Sequence, residues 1–203
     1  MPLVSQSTMP NYEKRLDASR AWALREGGMF FQNESEVQKS LRRITDRLRE
    51  LGIDYAVVGG MALFLHGYRR FTEDVDLLVT PDGLAKAHAA LESSGYRPPF
   101  PNSKNLRDTE NGVRICLHVA EGKHETVEHE GVTVLSLPGV VDRKLASGLS
   151  GTGRLKDLGD VQEMIKVLRL SSEYHEQLTP GVRAKYLELW VSVNEMSGHD
   201  QLG

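Results

Sequence analysis

Residues 55–79 read YAVVGGMALFLHGYRRFTEDVDLLV, and the fold turns on how this stretch divides. Tyr55 to Val58 is short, apolar and β-branched, which predicts a buried strand. Gly59-Gly60 breaks it, Met61 to His66 reads as a helix, and Val75 to Val79 is a second strand entered through Asp74 and Asp76. A helix start leaves backbone N–H groups unpaired, and glycine lets a phosphate come close to them. Asp74 and Asp76 stand at i and i+2, so both point to one side of the strand with Cα atoms roughly 6.6 Å apart. Two such carboxylates repel unless a cation or a proton lies between them. Oxygen ligands of this kind suit Mg²⁺, which fills its octahedron with waters and substrate phosphates. Taken singly, a double glycine is an ordinary turn and Asp-x-Asp an ordinary solvated strand face. In strand–glycine–helix–strand order within one short stretch, they describe metal-assisted nucleotide chemistry.

Upstream, Ser35 is a helix N-cap, followed by Val37, Leu41, Ile44, Leu48 and Leu51 on one face until Gly52 ends the helix. Residues 1–33 lack sustained periodicity and are expected to be a partly ordered extension with one short helix docked on the body. Downstream, Thr80-Pro81-Asp82 turns into a helix through about Ser93, with Leu84, Ala87, His88 and Leu91 on one face. Val113 to Val119 alternates in period two, and Thr126–Glu128 with Val132–Leu135 forms a hairpin around His129-Glu130-Gly131. Leu137-Pro138 opens a helix to about Leu149, a Gly-rich break follows at 150–153, and a long helix runs from Leu155 to Leu170. After a polar loop at 171–178, Thr179-Pro180 supplies the N-cap and first position of a last helix through about Val193. The pattern predicts an α/β fold, a mixed twisted sheet flanked by helices, with a small helical C-terminal part. The expected divisions are 1–33, 34–170 and 171–203.

Composition narrows the function classes. The 203 residues are 39% hydrophobic and 26% charged, with 25 Lys plus Arg against 28 Asp plus Glu and a formal net charge of -3. That balance gives no bulk attraction to nucleic acid or anionic membrane. A single cysteine, Cys116, fits a reducing compartment. The start of the chain lacks a basic segment followed by an apolar one, so no secretion signal is expected. The longest apolar run, Ala56 to Leu65, is about half of the ~20 residues a membrane span needs. A soluble, cytoplasmic protein without a membrane partner is expected.

Val58-Gly59-Gly60 followed by Asp74-Val75-Asp76 resembles the signature of the nucleotidyltransferase superfamily with the DNA polymerase β-like fold. Arg70-Phe71-Thr72-Glu73 before Asp74 is similar to the Arg-x-Thr-x-Asp spacing of its small bacterial branch, akin to abortive-infection toxins. A second block agrees: Leu137-Pro138, Lys144-Leu145-Ala146-Ser147-Gly148, Arg154, and Lys156-Asp157-Leu158-Gly159-Asp160-Val161 look like that branch's C-terminal motif. The resemblance spans roughly residues 53–170. It implies that Gly59 and Gly60 face the triphosphate, that Asp74 and Asp76 are catalytic and hold Mg²⁺, and that Arg70 and Thr72 brace their strand or touch phosphate. It further implies that Lys144 is catalytic and approaches the nucleotide or the acceptor. Asp157, on the nucleotide-binding side, and Asp160 would orient Lys144 and Arg154. Read from residues alone, Asp157 and Asp160 equally suit a helix start, where carboxylates favour the positive dipole end.

One position departs from the superfamily pattern, most of whose active members carry a third acid on a later strand. Here that acid falls on Cys116, on the strand face shared with Arg114 and His118, while Ile115, Leu117 and Val119 take the other face. A neutral thiol is a poor Mg²⁺ ligand and no carboxylate base. His118 has the pKa range of a base or is a partly buried strand histidine. His118, His124 and His129 with Cys116 invite a zinc reading, but not with finger or ribbon spacing. No Walker A or Gly-x-Ser-x-Gly pattern is present. Lys39, Arg42, Arg43, Arg47 and Arg49 are either the solvated face of a helix or a basic lip for an RNA acceptor.

Two functions follow as expectations. The first is an enzyme that moves a nucleoside monophosphate from an NTP to an acceptor hydroxyl on an RNA, a protein or a small molecule. The second is a catalytically weakened nucleotide-binding or partner-binding module of a toxin–antitoxin-like system, with an antitoxin-like protein partner.

Overall fold

In the computed structural model, the described residues are 11–92, 94–120, 124–151 and 154–199, with side chains through residue 195. The first elements are helices α1 (Tyr12–Ala18), α2 (Arg20–Phe31) and α3 (Glu36–Glu50). Where the sequence suggested one short helix, two form, each with its own cap: Asn11 accepts from the Lys14 N–H and Ser19 from the Trp22 N–H. Tyr12 and Phe30 are completely buried, so the segment contributes core. Ser35 and Gln38 form a reciprocal capping box at the start of α3, whose stripe Val37, Leu41, Ile44 and Leu48 is buried.

The remaining elements are β1 (Tyr55–Val58), α4 (Gly59–Leu65), β2 (Asp74–Val79), α5 (Pro81–Leu91), β3 (Tyr96–Arg97), β4 (Leu106–Asp108), β5 (Arg114–Val119), β6 (Thr126–His129), β7 (Val132–Leu135), α6 (Leu137–Leu149), α7 (Leu155–Leu168) and α8 (Pro180–His199). A 3-10 segment, Ser172–Gln177, replaces the expected polar loop. Helix α4 starts on Gly59 itself, two residues before the expected Met61. Ser93, the expected end of α5, and residues 152–153 of the expected Gly-rich break lie outside the described residues.

The seven strands make one mixed sheet in the order β3-β4-β5-β2-β1-β7-β6. Strand β2 runs antiparallel to β1 and parallel to β5. Its pleat divides Val75, Leu77 and Val79, all buried, from the half-buried Asp74 and Asp76, and in register Ile115 and Leu117 are buried beside them. Helix α3 packs against β2, and α5 against β5.

The chain forms two compact units: Met1–Met61, Arg70–Lys123 and Glu128–Thr133 make the first, and Ala62–Arg69, His124–Val127 and Val134–Gly203 the second. In the first, a buried polar knot holds the β4–β5 connection onto α3. Ser40 donates to Asp108 (2.8 Å), Arg43 pairs with the same carboxylate (2.7 Å), and Asn111 donates to the Glu36 carbonyl (3.0 Å). In the second, α6, α7 and α8 pack on one another through Val141, Leu145, Val161, Met164 and Tyr186. Among the described residues no helix is long and apolar enough to cross a membrane.

Candidate active site

The register of two parallel strands builds the site in the first unit. Asp74 lies opposite Arg114, Asp76 opposite Cys116, and Leu78 opposite His118. Because facing residues of paired strands share a side, both aspartates meet Arg114, Cys116 and His118. One Asp74 oxygen accepts from the Thr72 hydroxyl (3.0 Å). The other accepts from Arg114 Nη2 (2.8 Å) and, weakly, from the Cys116 thiol (3.8 Å). His118 Nε2 lies 2.8 Å from Asp76 Oδ1. A carboxylate oxygen each from Asp74 and Asp76 and the Cys116 sulfur all lie within 4.8 Å of one another. Cys116 therefore faces the acidic pair, as the alternation of its strand required. Among the described residues this is the one cluster of three metal-ligating groups, and neither His124 nor His129 belongs to it.

The double glycine is tied to this pair by space. Gly59 has φ +62°, and a Cβ built on it would sit 2.7 Å from Asp76 Cγ. A Cβ on Gly60 would sit 2.5 Å from Thr72 Oγ1. The two glycines thus make room for Asp76 and Thr72 to lie across the β1–α4 turn. Arg70, half-buried, donates to the Phe71 carbonyl (3.4 Å).

Charge at the site is already partly compensated. Burial foremost, then the nearby Asp76 and Asp74 carboxylates, pushes the Cys116 thiol up to about 12, so it is protonated at neutral pH. Burial works against the Arg114 cation, but its bond to Asp74 and the charges around it raise its pKa further. Partial burial, with the carboxylates of Glu13, Asp74 and Asp17, raises that of Glu73. Glu13 is the residue the sequence did not point to. From the first turn of α1 it reaches Arg107 (2.7 Å) and Arg114 (3.7 Å), so Arg114 is shared between Glu13 and Asp74. Its only signal was one acid in a segment without periodicity.

The second predicted block forms its own cluster, in the second unit. Lys144 of α6 is buried and pairs with Asp157 and Asp160 of α7, at 2.7 Å each. Asp157 also accepts from Ser147 (2.7 Å), which accepts from Arg154 (3.1 Å). Burial raises the Asp157 pKa, but hydrogen bonds from Lys144 and Ser147 outweigh it and hold the carboxyl below its ordinary range. Gly148 lets the helices close, since a Cβ there would lie 2.5 Å from Leu158 Cγ. Four cations of the basic stripe of α3 are paired with acids, Lys39 with Glu36, Arg43 with Asp108 and Glu110, Arg47 with Glu50, and Arg49 with Asp46, while Arg42 donates to the Asn33 carbonyl.

A glycine turn over an Asp-x-Asp strand has a counterpart among known families. Residues 9–144 match the model of a family described as uncharacterised nucleotidyltransferase. The chain belongs to this family. No curated protein matches this nucleotidyltransferase at a significant level. Among solved structures it is similar to ANT(2'')-Ia in complex with adenylyl-2''-tobramycin, with 12% identity, 78% of this chain and 97% of the other covered, and a TM-score of 0.51. An antigenic nucleotidyltransferase-like protein from Paracoccidioides brasiliensis gives 20% identity, 82% and 90% coverage, and a TM-score of 0.49. JHP933 from Helicobacter pylori gives 17% identity, 81% and 94% coverage, and a TM-score of 0.49. The family match bears out the superfamily read from the sequence, and the likeness to ANT(2'')-Ia the fold; neither reaches the toxin-like branch.

Proposed function

We propose that this nucleotidyltransferase moves a nucleoside monophosphate from an NTP to an acceptor hydroxyl, releasing pyrophosphate, at the Asp74–Asp76 pair. The observation that carries the reading is the convergence of both carboxylates with the third position of β5, beneath the Gly59–Gly60 turn. A divalent cation held by Asp74 and Asp76 would neutralise charge on the transferring phosphoryl group. The chain's own residues set up the rest. Thr72 and Arg114 fix the Asp74 carboxylate and His118 fixes Asp76, while the Arg114 guanidinium, less than half exposed, offers positive charge to a phosphate. Lys144 and Asp157 enter the proposal on the resemblance, as residues on the nucleotide side.

Mg²⁺, expected from the sequence, fits the two carboxylates and does not fit the sulfur beside them. For the acceptor, a small molecule or a protein side chain stands ahead of RNA, because the α3 stripe spends its charge on its own acids and carbonyls. The ANT(2'')-Ia complex, holding an adenylylated small molecule, supports an acceptor of that size. The test is incubation with each labelled NTP and a divalent cation in cell extract. A labelled product that disappears with Asp74→Asn/Asp76→Asn is the expected result. NTP affinity unchanged in the double variant overturns the assignment. NTP binding that needs the pair, with no product from any extract, favours a weakened binding module, the reading that the Cys116 thiol supports.

A further inference from the structure

We propose that the Asp74–Asp76–Cys116 cluster is a centre for a thiophilic divalent cation of the Zn²⁺ class, selected over Mg²⁺ by the Cys116 sulfur. The inference rests on the acidic pair being a metal site, as proposed above, and adds which cation it takes. Three observations lead to it. The donor set converges: two carboxylate oxygens and one sulfur lie within 4.8 Å of one another, a span that small inward movements of the side chains reduce to a coordination shell. The set is mixed: Zn²⁺ accepts sulfur, nitrogen and oxygen in a site of three protein ligands plus an open position, whereas Mg²⁺ asks for an octahedron of oxygens. The carboxylates are also oriented from behind. His118 bonds one oxygen of Asp76, and Thr72 and Arg114 bond Asp74, the kind of outer support that fixes ligating carboxylates.

The Cys116 thiol already points at Asp74 Oδ2, 3.8 Å away. A cation placed between them replaces the thiol proton, which leaves to solvent, and sulfur binds as thiolate. Arg114 shares that oxygen, and a carboxylate has about four lone-pair sites, so the arginine contact and a metal bond coexist on Asp74. The open coordination position is then available to a phosphate oxygen.

The chain's single cysteine makes the test clean. The purified full chain, stripped with chelator, is titrated with Co²⁺, Zn²⁺ and Mg²⁺ alone, and NTP binding is followed separately. Co²⁺ should give an intense near-ultraviolet thiolate-to-cobalt absorption, absent from Cys116→Ser. Zn²⁺ should bind on the order of a thousandfold more tightly than Mg²⁺, following the sulfur preference and the metal series. Cys116→Ser and Cys116→Ala, each checked for an unchanged melt, should lose most of that preference, and Cys116→Asp should shift it toward Mg²⁺. Absence of the cobalt absorption, or Zn²⁺ no tighter than Mg²⁺, overturns the inference while leaving the acidic pair as a metal site. Metal binding indifferent to Asp74→Asn/Asp76→Asn overturns the proposed function as well.

Discussion

Gly59 and Gly52 share a left-handed φ of +62°, yet only Gly59 has a carboxylate where its Cβ would go. The comparison separates conformational strain from steric conflict. Gly52→Ala should cost about 1–2 kcal/mol in chemical denaturation, the left-handed penalty alone. Gly59→Ala should cost at least that and, by displacing Asp76, weaken divalent-cation binding tenfold or more. Equal effects on cation binding would show that the close approach to Asp76 does not matter. The double glycine was legible as a signal, but its reason was not. The sequence suggested close approach of a phosphate; the structure adds that a Cβ on either glycine would collide with Asp76 or Thr72, and no local rule links residues so far apart. Two bare carboxylates repel, so their repulsion alone would make neutralising the pair harmless to stability. Arg114 already compensates Asp74 and His118 bonds Asp76, so Asp74→Asn/Asp76→Asn should lower stability slightly, within about 1 kcal/mol for partly exposed pairs.

Elements with a strong period were readable: the apolar stripe of α3, the alternation of β5, and the hairpin of β6 and β7. Strands β3 and β4 were not, since two and three residues are too few to show a period. Their pairing comes from β5 and from the Ser40–Asp108–Arg43 knot, which is tertiary. Lys144 was singled out as a motif residue, and its packing adds a structural part: one ammonium holds Asp157 and Asp160 of α7 against α6. Lys144→Met should destabilise the protein by about 3 kcal/mol, because it strands the buried Asp160 carboxylate and leaves the half-buried Asp157 without its cation. If the role is only structural, NTP affinity of the folded fraction will not change. A carboxyl whose pKa is depressed on folding gives stability that is complete above its ordinary value and is lost as pH falls through the folded one. The stability gap between the wild type and Asp157→Asn should thus be steady near neutrality and close on acidification below the ordinary 3.8. A gap that stays open at low pH would show that the Asp157 charge is not what joins the helices.

At the scale of the molecule, the first described helices belong to the body. Tyr12 is fully buried, its ring edge-on to Trp22 at 5.2 Å between centroids and its hydroxyl 3.3 Å from Glu26. Tyr12→Ala should therefore cost about 3–5 kcal/mol by denaturant titration, as for a large core side chain, and a value near zero would make α1 an appendage. Glu13, one residue on, draws part of the Arg114 charge away from Asp74. Glu13→Gln should let Arg114 settle wholly on Asp74 and weaken cation binding several-fold without unfolding the chain. Someone trimming this protein for expression would be tempted to begin at residue 34, where the strong sequence signals start. Such a chain would keep every letter of the motif and lose the acid that sets the balance of charge around it. It would be a different site carrying the same signature.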